Sequence, residues 1–322
     1  MQPKKLLIIC GPTSTGKTSL ALRMAKLFNG EIISADSRQV FKMMDIGTGK
    51  DLPKNAEITY EEDNDFGYYE IEGVKVWGYD LADPTENFSV SSYITFAQKV
   101  IKKILFTKRL PILVGGTGLY IKGVVDGIPT ASIPLSKTLR KSFENKSVEE
   151  LFEKLSQIDP IRAASLNSSD NKNPRRLIRA IEVAMWNMDN KKESKEDRGE
   201  PFSTLFVGLS LPKEELSKKI KIRVEDRIAK GVKKEVKDLL KQGVTWNDQS
   251  MTSMGYGIWK DYFDGRKTQD ETIDLWIREE VQYTKRQIVW FKKEKRINWF
   301  DILDSKYLKS VELLVQKWYK AK

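Results

Sequence analysis

Near the N-terminus the sequence reads Gly11-Pro12-Thr13-Ser14-Thr15-Gly16-Lys17-Thr18, a full match to G-x-x-x-x-G-K-[ST]. No other stretch constrains the fold as strongly, because this pattern carries meaning only between a strand and a helix. Both flanks comply. Residues 6–10 form a short apolar run bounded by Gly11-Pro12, as expected of a fully buried strand, and Leu20, Met24, Leu27 and Phe28 recur at helical spacing. In such a loop the glycines let successive backbone N–H groups turn inward around phosphate oxygens at a helix N-terminus. Lys17 adds a point charge and the Thr18 hydroxyl can ligate Mg²⁺. The loop reports a di- or triphosphate without saying which.

The alternation continues. Residues 31–35 read as a strand that begins after Gly30 and delivers Asp36 at its end. Tyr93, Phe96, Ala97, Val100, Ile101, Ile104 and Leu105 make a helical stripe, followed by a buried strand at 110–114 and the loop Gly115-Gly116-Thr117-Gly118. Alternating strands and helices predict an α/β fold: a P-loop NTPase-like parallel sheet flanked by helices, with ligands outside the carboxyl ends of the strands. Between 129 and about 200 there are helical signals, at 148–155 and 173–186, but no convincing strand, and the charged stretch 189–200 reads as a solvated linker. A strand resumes at 204–210. Leu216, Ile220, Val224, Ile228, Val232, Val236 and Leu240 then mark one long amphipathic helix capped at Gly243. The expected organisation is a core of residues 1–128 and 200–322, interrupted by a mainly helical insertion at 129–199.

Composition narrows the chemistry. With 322 residues, 40% hydrophobic and 31% charged, the chain is neither collagen-like nor wholly disordered. No apolar run approaches the ~18 residues of a membrane span, and no cleavable leader is visible, so a cytosolic chain with no membrane partner is expected. Zero histidines and one cysteine exclude imidazole acid–base chemistry, His-containing metal sites and an intrachain disulfide. Carboxylates, hydroxyls, Lys, Arg or an oxygen-held metal must do the work. The net charge of +11 fits an anionic partner or a well-solvated surface.

From the residues alone, Asp36 either orients a nucleophile and takes its proton or is a helix N-cap. The loop at 115–118 is either a second ligand loop or a tight turn needing positive φ. Asp80 is the one nearby candidate for a metal-binding acid of the kind ATP hydrolysis requires. Basic residues cluster at Arg175, Arg176 and Arg179, and again at Lys285, Arg286, Lys292, Lys293, Lys295 and Arg296 among aromatics. In the second cluster Tyr283, Gln287, Trp290 and Phe291 share a helix face, which favours core packing for the aromatics and leaves the basic flank free to track a phosphate backbone.

These pieces together resemble the tRNA dimethylallyltransferase (tRNA isopentenyltransferase) family. The matches are GPTSTGKTSLA at 11–21, GEIISADSRQVFKMMDIGTGK at 30–50, DPTENFSV at 83–90, LVGGTGLYI at 113–121, RRLIRAIEV at 175–183, Arg223 followed by Gly231 and Glu235-Val236, and KRQIVWF at 285–291. They run in family order from end to end. The resemblance implies transfer of a dimethylallyl group from dimethylallyl diphosphate to N6 of the adenine 3′ of the anticodon in tRNA, with release of diphosphate and no consumption of ATP. It implies that the Gly11–Thr18 loop (Gly11, Pro12, Thr13, Ser14, Thr15, Gly16, Lys17, Thr18) grips the diphosphate, with Mg²⁺ at Thr18 and Arg223 stabilising the departing charge. Asp36 would accept the N6 proton, with Ser37, Arg38 and Gln39 lining the acceptor side. Thr117, Arg140, Arg175, Arg176 and Arg179 resemble tRNA contacts, the insertion would hold the anticodon stem–loop, and a monomer is expected.

The chain departs from the family pattern in three places. Val76-Trp77-Gly78-Tyr79-Asp80 stands for a His-His-Leu-Ile-Asp run, GTGKD at 47–51 replaces GTAKP, and Glu280-Val281-Gln282 replaces Thr-Arg-Arg, removing positive charge near the expected RNA face. The Cys and His ligands of a eukaryotic zinc-finger extension are absent, pointing to a bacterial-type enzyme. The rival readings are an adenylate isopentenyltransferase acting on free AMP, ADP or ATP, a P-loop small-molecule kinase, and an RNA-binding protein with a relic loop.

Overall fold

The structure is a computed structural model and describes residues 4–61, 66–190 and 202–321. Seven strands form one sheet in the order β3-β4-β2-β5-β1-β6-β7: β1 (Lys5–Cys10), β2 (Gly30–Ser34), β3 (Tyr68–Ile71), β4 (Val74–Trp77), β5 (Leu110–Gly115), β6 (Ser203–Ser210) and β7 (Ile297–Asp301). Every pairing is parallel except the β3–β4 hairpin. β1 sits near the centre because it is apolar on both faces. Leu6, Ile8 and Cys10 point into one core layer and Leu7 and Ile9 into the other, all fully buried. Burying a side chain of this size contributes about 1.5–3 kcal/mol, so such a strand gains most where helices cover both its faces.

In chain order, the helices of the first half are α1 (Lys17–Leu27), α2 (Val90–Phe106) and α3 (Gly118–Val125). Helix α2 starts at Ser89, whose hydroxyl accepts from the Ser92 N–H, and its apolar stripe from Tyr93 to Ile104 is buried as its spacing predicts. Next come α4 (Lys137–Ser142), α5 (Val148–Ile158), α6 (Pro160–Ala164) and α7 (Pro174–Asp189). The remainder are α8 (Lys213–Ala229), α9 (Val232–Lys241), the short α10 (Met254–Gly257) and α11 (Lys260–Phe263), the 23-residue α12 (Gln269–Phe291) and α13 (Tyr307–Lys320). Helices α1 and α13 pack on one sheet face, while α2, α3, α9 and α12 pack on the other.

The chain forms two compact units, one of Met1–Asp126 with Glu200–Lys322 and one of Gly127–Gly199. The second has its own small core of Leu151, Leu155, Ala163, Leu177, Ala180 and Ile181. Helix α5 opens with a capping box between Ser147 and Glu150, and α7 opens with Asn173 as cap and Pro174 in its first turn. Of the stretch 189–200 read as a linker, residues 191–200 lie outside the described residues.

One helix expected from the pattern is two. The apolar repeat from Leu216 to Leu240 continues in phase across Gly231, but Gly231 adopts φ 95°, which ends α8 and starts α9. An i, i+3, i+4 pattern is blind to such a break, because the next helix can resume the same spacing.

Candidate active site

Two glycine loops leave the sheet side by side at its carboxyl edge. The first joins β1 to α1. Gly11 has φ 137°, and a Cβ there would meet Leu209 O at 2.5 Å. Ser14 and Gly16 are left-handed at φ 62° and 79°. The Thr15 hydroxyl ties the loop to Pro12 O at 2.9 Å, and the Leu20 N–H makes the first helical bond, to Gly16 O. No backbone N–H from Ser14 to Thr18 finds an acceptor among the described residues, and the Ser14 hydroxyl is buried without a partner. A helix N-terminus with unspent donors is an anion cradle.

Two cations face it. Lys17 Nζ is folded back onto Pro12 O at 2.7 Å, and Arg223, from α8, donates through Nη1 to Thr13 Oγ1 at 2.9 Å and through Nη2 to Gly49 O at 3.4 Å. Burial and then the neighbouring Arg223 charge lower the Lys17 ammonium from its ordinary value to about 8, with the Asp36 carboxylate opposing them. At the same sheet end, burial lifts the Cys10 thiol to about 12, which leaves it an inert core group. The Thr18 hydroxyl makes no hydrogen bond among the described residues.

The second loop joins β5 to α3, and its glycines serve close approach. None of Gly115, Gly116 and Gly118 has positive φ, so the tight-turn reading does not hold. A Cβ would instead meet Ala35 O at 2.1 Å, Gln287 Nε2 at 2.3 Å and the Trp290 ring at 2.0 Å, respectively. Gln287 joins the two loops. Its Oε1 accepts from the Thr13 N–H at 3.0 Å, and its Nε2 donates to Gly116 O at 3.0 Å. The KRQ motif points to this residue, but nothing in its spacing reveals the bridge.

Asp36 follows β2, the strand beside β5, and so leaves the sheet next to the second loop. No α-helix begins there, so the N-cap reading fails in its simple form: Oδ1 accepts from the Arg38 N–H at 2.9 Å in a turn, and the other oxygen has no hydrogen-bond partner among the described residues. Thr117 fixes this turn, its Oγ1 accepting from the Ser37 N–H at 3.0 Å. Gln39 donates to Gly49 O at 3.0 Å and accepts from the Ser34 hydroxyl, while Arg38 reaches Thr252 Oγ1 at 3.1 Å. Burial and then the Asp36 charge raise the Tyr283 hydroxyl to about 12, and Tyr120 is raised for the same two reasons. The Asp36 charge is thus felt by Lys17 on the first loop and by Tyr120 and Tyr283.

The segment from 41 to 50 is held by residues that spacing alone did not single out. Glu235 accepts from the N–H groups of Asp45, Ile46 and Gly47 at 3.0–3.1 Å and from the Tyr256 hydroxyl at 2.6 Å. Lys50 is buried and donates to Phe41 O and to the carboxylates of Asp45 and Asp80. Asp80, considered above as a metal-binding acid, is thus committed to Lys50 and to the Tyr69 hydroxyl.

Elsewhere in the first unit, Trp290 is 43% exposed rather than in the core, because it leans on Gly118. Gln282, Lys285, Arg286, Val289 and Trp290 of α12, with Lys293 just beyond its end, make an exposed basic and apolar stripe. Of the run Glu280-Val281-Gln282, Gln282 lies on that surface and Glu280 does not. It is buried, accepting from Arg227 Nη1 at 3.0 Å and Trp276 Nε1 at 3.2 Å.

In the helical unit, Arg140 clasps Glu182 through Nε at 2.7 Å and Nη2 at 3.0 Å. Arg179 donates to Glu182 and to the carbonyls of Thr130 and Ile133. Burial raises the Glu182 carboxyl, but these arginines outweigh it and hold the group below its ordinary value. Arg176 pairs with Asp170, whereas Arg175 is exposed with no partner among the described residues.

The IPP transferase family model matches residues 39–294, and the isopentenyl transferase model matches residues 4–61. The tRNA dimethylallyltransferase of Anoxybacillus flavithermus is 36% identical over 94% of this chain and 91% of its own length, and that of Carboxydothermus hydrogenoformans is 37% identical over 92% of each. The crystal structure of the tRNA isopentenylpyrophosphate transferase from Bacillus halodurans superposes with a TM-score of 0.68 at 34% identity, covering 98% of this chain and 97% of that one. A eukaryotic dimethylallyltransferase acting on tRNA shares the fold, with a TM-score of 0.76 at 21% identity, covering 97% of this chain and 77% of that one. On the family match and these near full-length identities, the chain belongs to the IPP transferase family, the family of the tRNA dimethylallyltransferases.

Proposed function

We propose that the chain transfers a dimethylallyl group from dimethylallyl diphosphate to N6 of the adenine 3′ of the anticodon in tRNA. The observation that carries this reading is the placement of an unspent N–H cradle with two cations beside a half-free carboxylate, stapled by Gln287, in a member of this family. The P-loop-like cradle would take the diphosphate. Ionising the allylic C–O bond builds negative charge on that leaving group, and preorganised donors that strengthen as the charge grows lower the barrier.

Lys17 would exchange Pro12 O for a phosphate oxygen, and Arg223 would share the growing charge from the far side. Among the described residues no group of three or more Asp, Glu or Cys could hold a metal, but the unpartnered Thr18 hydroxyl fits Mg²⁺, which keeps one or two protein oxygens and fills its shell with phosphate and water. When bound, Mg²⁺ supplies charge neutralisation to the diphosphate. The N6 lone pair is delocalised into the purine ring, so the free oxygen of Asp36 would take its proton as the C–N bond forms, while Thr117 and Arg38 hold the turn that aims it.

An adenine must leave the anticodon-loop stack to reach Asp36, at a cost of a few kcal/mol that protein contacts offset. The exposed Lys285, Arg286 and Trp290 face of α12, with Lys293 just beyond its end, suits an RNA backbone better than a free nucleotide, and Arg175 is a second phosphate contact on the helical unit, which would hold the anticodon stem–loop. Among the described residues no helix is long and apolar enough to cross a membrane. We propose a cytoplasmic monomer. Incubation with dimethylallyl diphosphate, Mg²⁺ and either bulk tRNA or AMP tests the reading: prenylated tRNA with untouched AMP is expected. Prenylated AMP, or phosphoryl transfer from labelled ATP, would refute it.

A further inference from the structure

Arg223 reaches the cradle from outside both glycine loops, and its surroundings are asymmetric. On one side Nη1 is held by Thr13 Oγ1; on the other Nη2 reaches Gly49 O only at 3.4 Å. Gly49 has φ 65°, and a Cβ there would lie 2.4 Å from Arg223 Nη2 and 2.7 Å from Arg227 Nη2, so two guanidinium groups press on one bare stretch of backbone. Arg227 is committed: it is buried, bonded to Glu280 and stacked over the Trp276 ring at 5.7 Å. It walls Arg223 in and leaves it facing the cradle and Asp51. Asp51 itself adopts φ 53°, rare for a residue other than glycine, and this conformation sets a carboxylate oxygen 3.9 Å from Arg223 Nη2. Both left-handed residues fall where GTGKD departs from the family's GTAKP, and proline could not adopt the Asp51 backbone.

We propose that Asp51 is an affinity-tuning residue that competes with the diphosphate for Arg223. With the donor absent the carboxylate shares the guanidinium; when diphosphate seats, Arg223 turns fully to the cradle and Asp51 returns to water. The competition lowers the affinity for the donor and equally for the diphosphate product, which speeds product release. The proposal rests on the cradle being the diphosphate site.

Asp51→Asn is the clean test, because asparagine tolerates left-handed φ and only the charge is lost. The probe is inorganic diphosphate with Mg²⁺, titrated by calorimetry into the full chain at 50 and 300 mM salt. Expected is about two- to fivefold tighter binding by the variant at 50 mM, the range of an exposed ion pair, shrinking towards equality at 300 mM as salt screens both states. A purely structural role for Asp51 would not produce that convergence with salt. Unchanged or weaker binding at 50 mM, or a gain that persists at 300 mM, overturns the competition. Failure of the wild-type chain to bind diphosphate at all would instead overturn the assignment of the cradle, and the competition with it.

Discussion

Lys17 makes the cradle a proton-coupled site. Burial and Arg223 bring its ammonium to about 8, against an ordinary 10.5. A seated diphosphate reverses both causes, since it fills the desolvated space with negative charge and shields Lys17 from Arg223, so the bound state keeps Lys17 protonated well above pH 8. The sign follows directly. Binding should take up about a tenth of a proton at pH 7, about half at pH 8 and about nine-tenths at pH 9. Affinity for diphosphate should then fall about tenfold per pH unit between roughly 8 and 10.5, a range worth at most about 3.4 kcal/mol.

Calorimetry in buffers of different ionisation enthalpy reads the uptake, and Lys17→Met subtracts the ligand's own titration. Arg223→Gln separates the two causes: it should raise the Lys17 pKa only partway, because burial lowers it more than the Arg223 charge does, and so should reduce the uptake at pH 8 without abolishing it. Equal uptake by wild type and Lys17→Met at pH 8 would refute the coupling.

Three further outcomes are expected. Asp36→Asn keeps an acceptor for the Arg38 N–H but removes the base, so prenyl transfer should fall by about a hundredfold or more while tRNA affinity, read by filter binding, holds within about twofold. Gln287→Ala strands the Thr13 N–H and Gly116 O, at about 1–3 kcal/mol for each buried group left unpaired. It should lower Tm by several degrees and raise donor KM more than tRNA KM, and equal effects on the two would deny the bridge its role in the cradle. Arg175→Ala should reduce the slope of log affinity for tRNA against log salt by roughly 0.7–0.9 without changing stability, whereas Arg179→Ala should destabilise the helical unit by leaving Glu182 and two carbonyls short of donors. Salt titrations and thermal melts of the two variants separate these roles.

What could be read from the sequence was what local chemistry dictates. The cradle was legible because its two glycines take the positive φ that other residues rarely adopt, and β1, β2 and β5 were legible because strands buried on both faces are continuous apolar runs. Long-range partnerships were not. Gln287 lies 274 residues from Thr13 in the chain, and Glu235 caps a turn 188 to 190 residues away, so no spacing rule could announce either. The same blindness hides the partners of Arg140 and Arg179, since neither residue's position in the chain reveals the buried Glu182 they share or the two carbonyls that Arg179 also reaches. Glu280 is the instructive reversal. As part of the run Glu280-Val281-Gln282 it suggested a loss of positive charge from the RNA surface, but its own partner is the buried Arg227, whose guanidinium lies against Gly49 beside Arg223.

That pairing explains how the site can hold so many cations at once. Lys17, Arg223 and Arg227 converge on one corner of the sheet edge, where burial first and then the Arg223 charge lower both the Lys17 ammonium and the Arg227 guanidinium. The chain relieves that repulsion unequally. Arg227 has a buried carboxylate of its own and so contributes shape and confinement, whereas Lys17 rests on a neutral carbonyl and Arg223 on a hydroxyl, a carbonyl and the edge of an exposed carboxylate. Neutral acceptors give way to a phosphate oxygen at little cost, and a buried ion pair does not. Lys17 and Arg223 are therefore the charges left available, and a negatively charged leaving group is what would complete them.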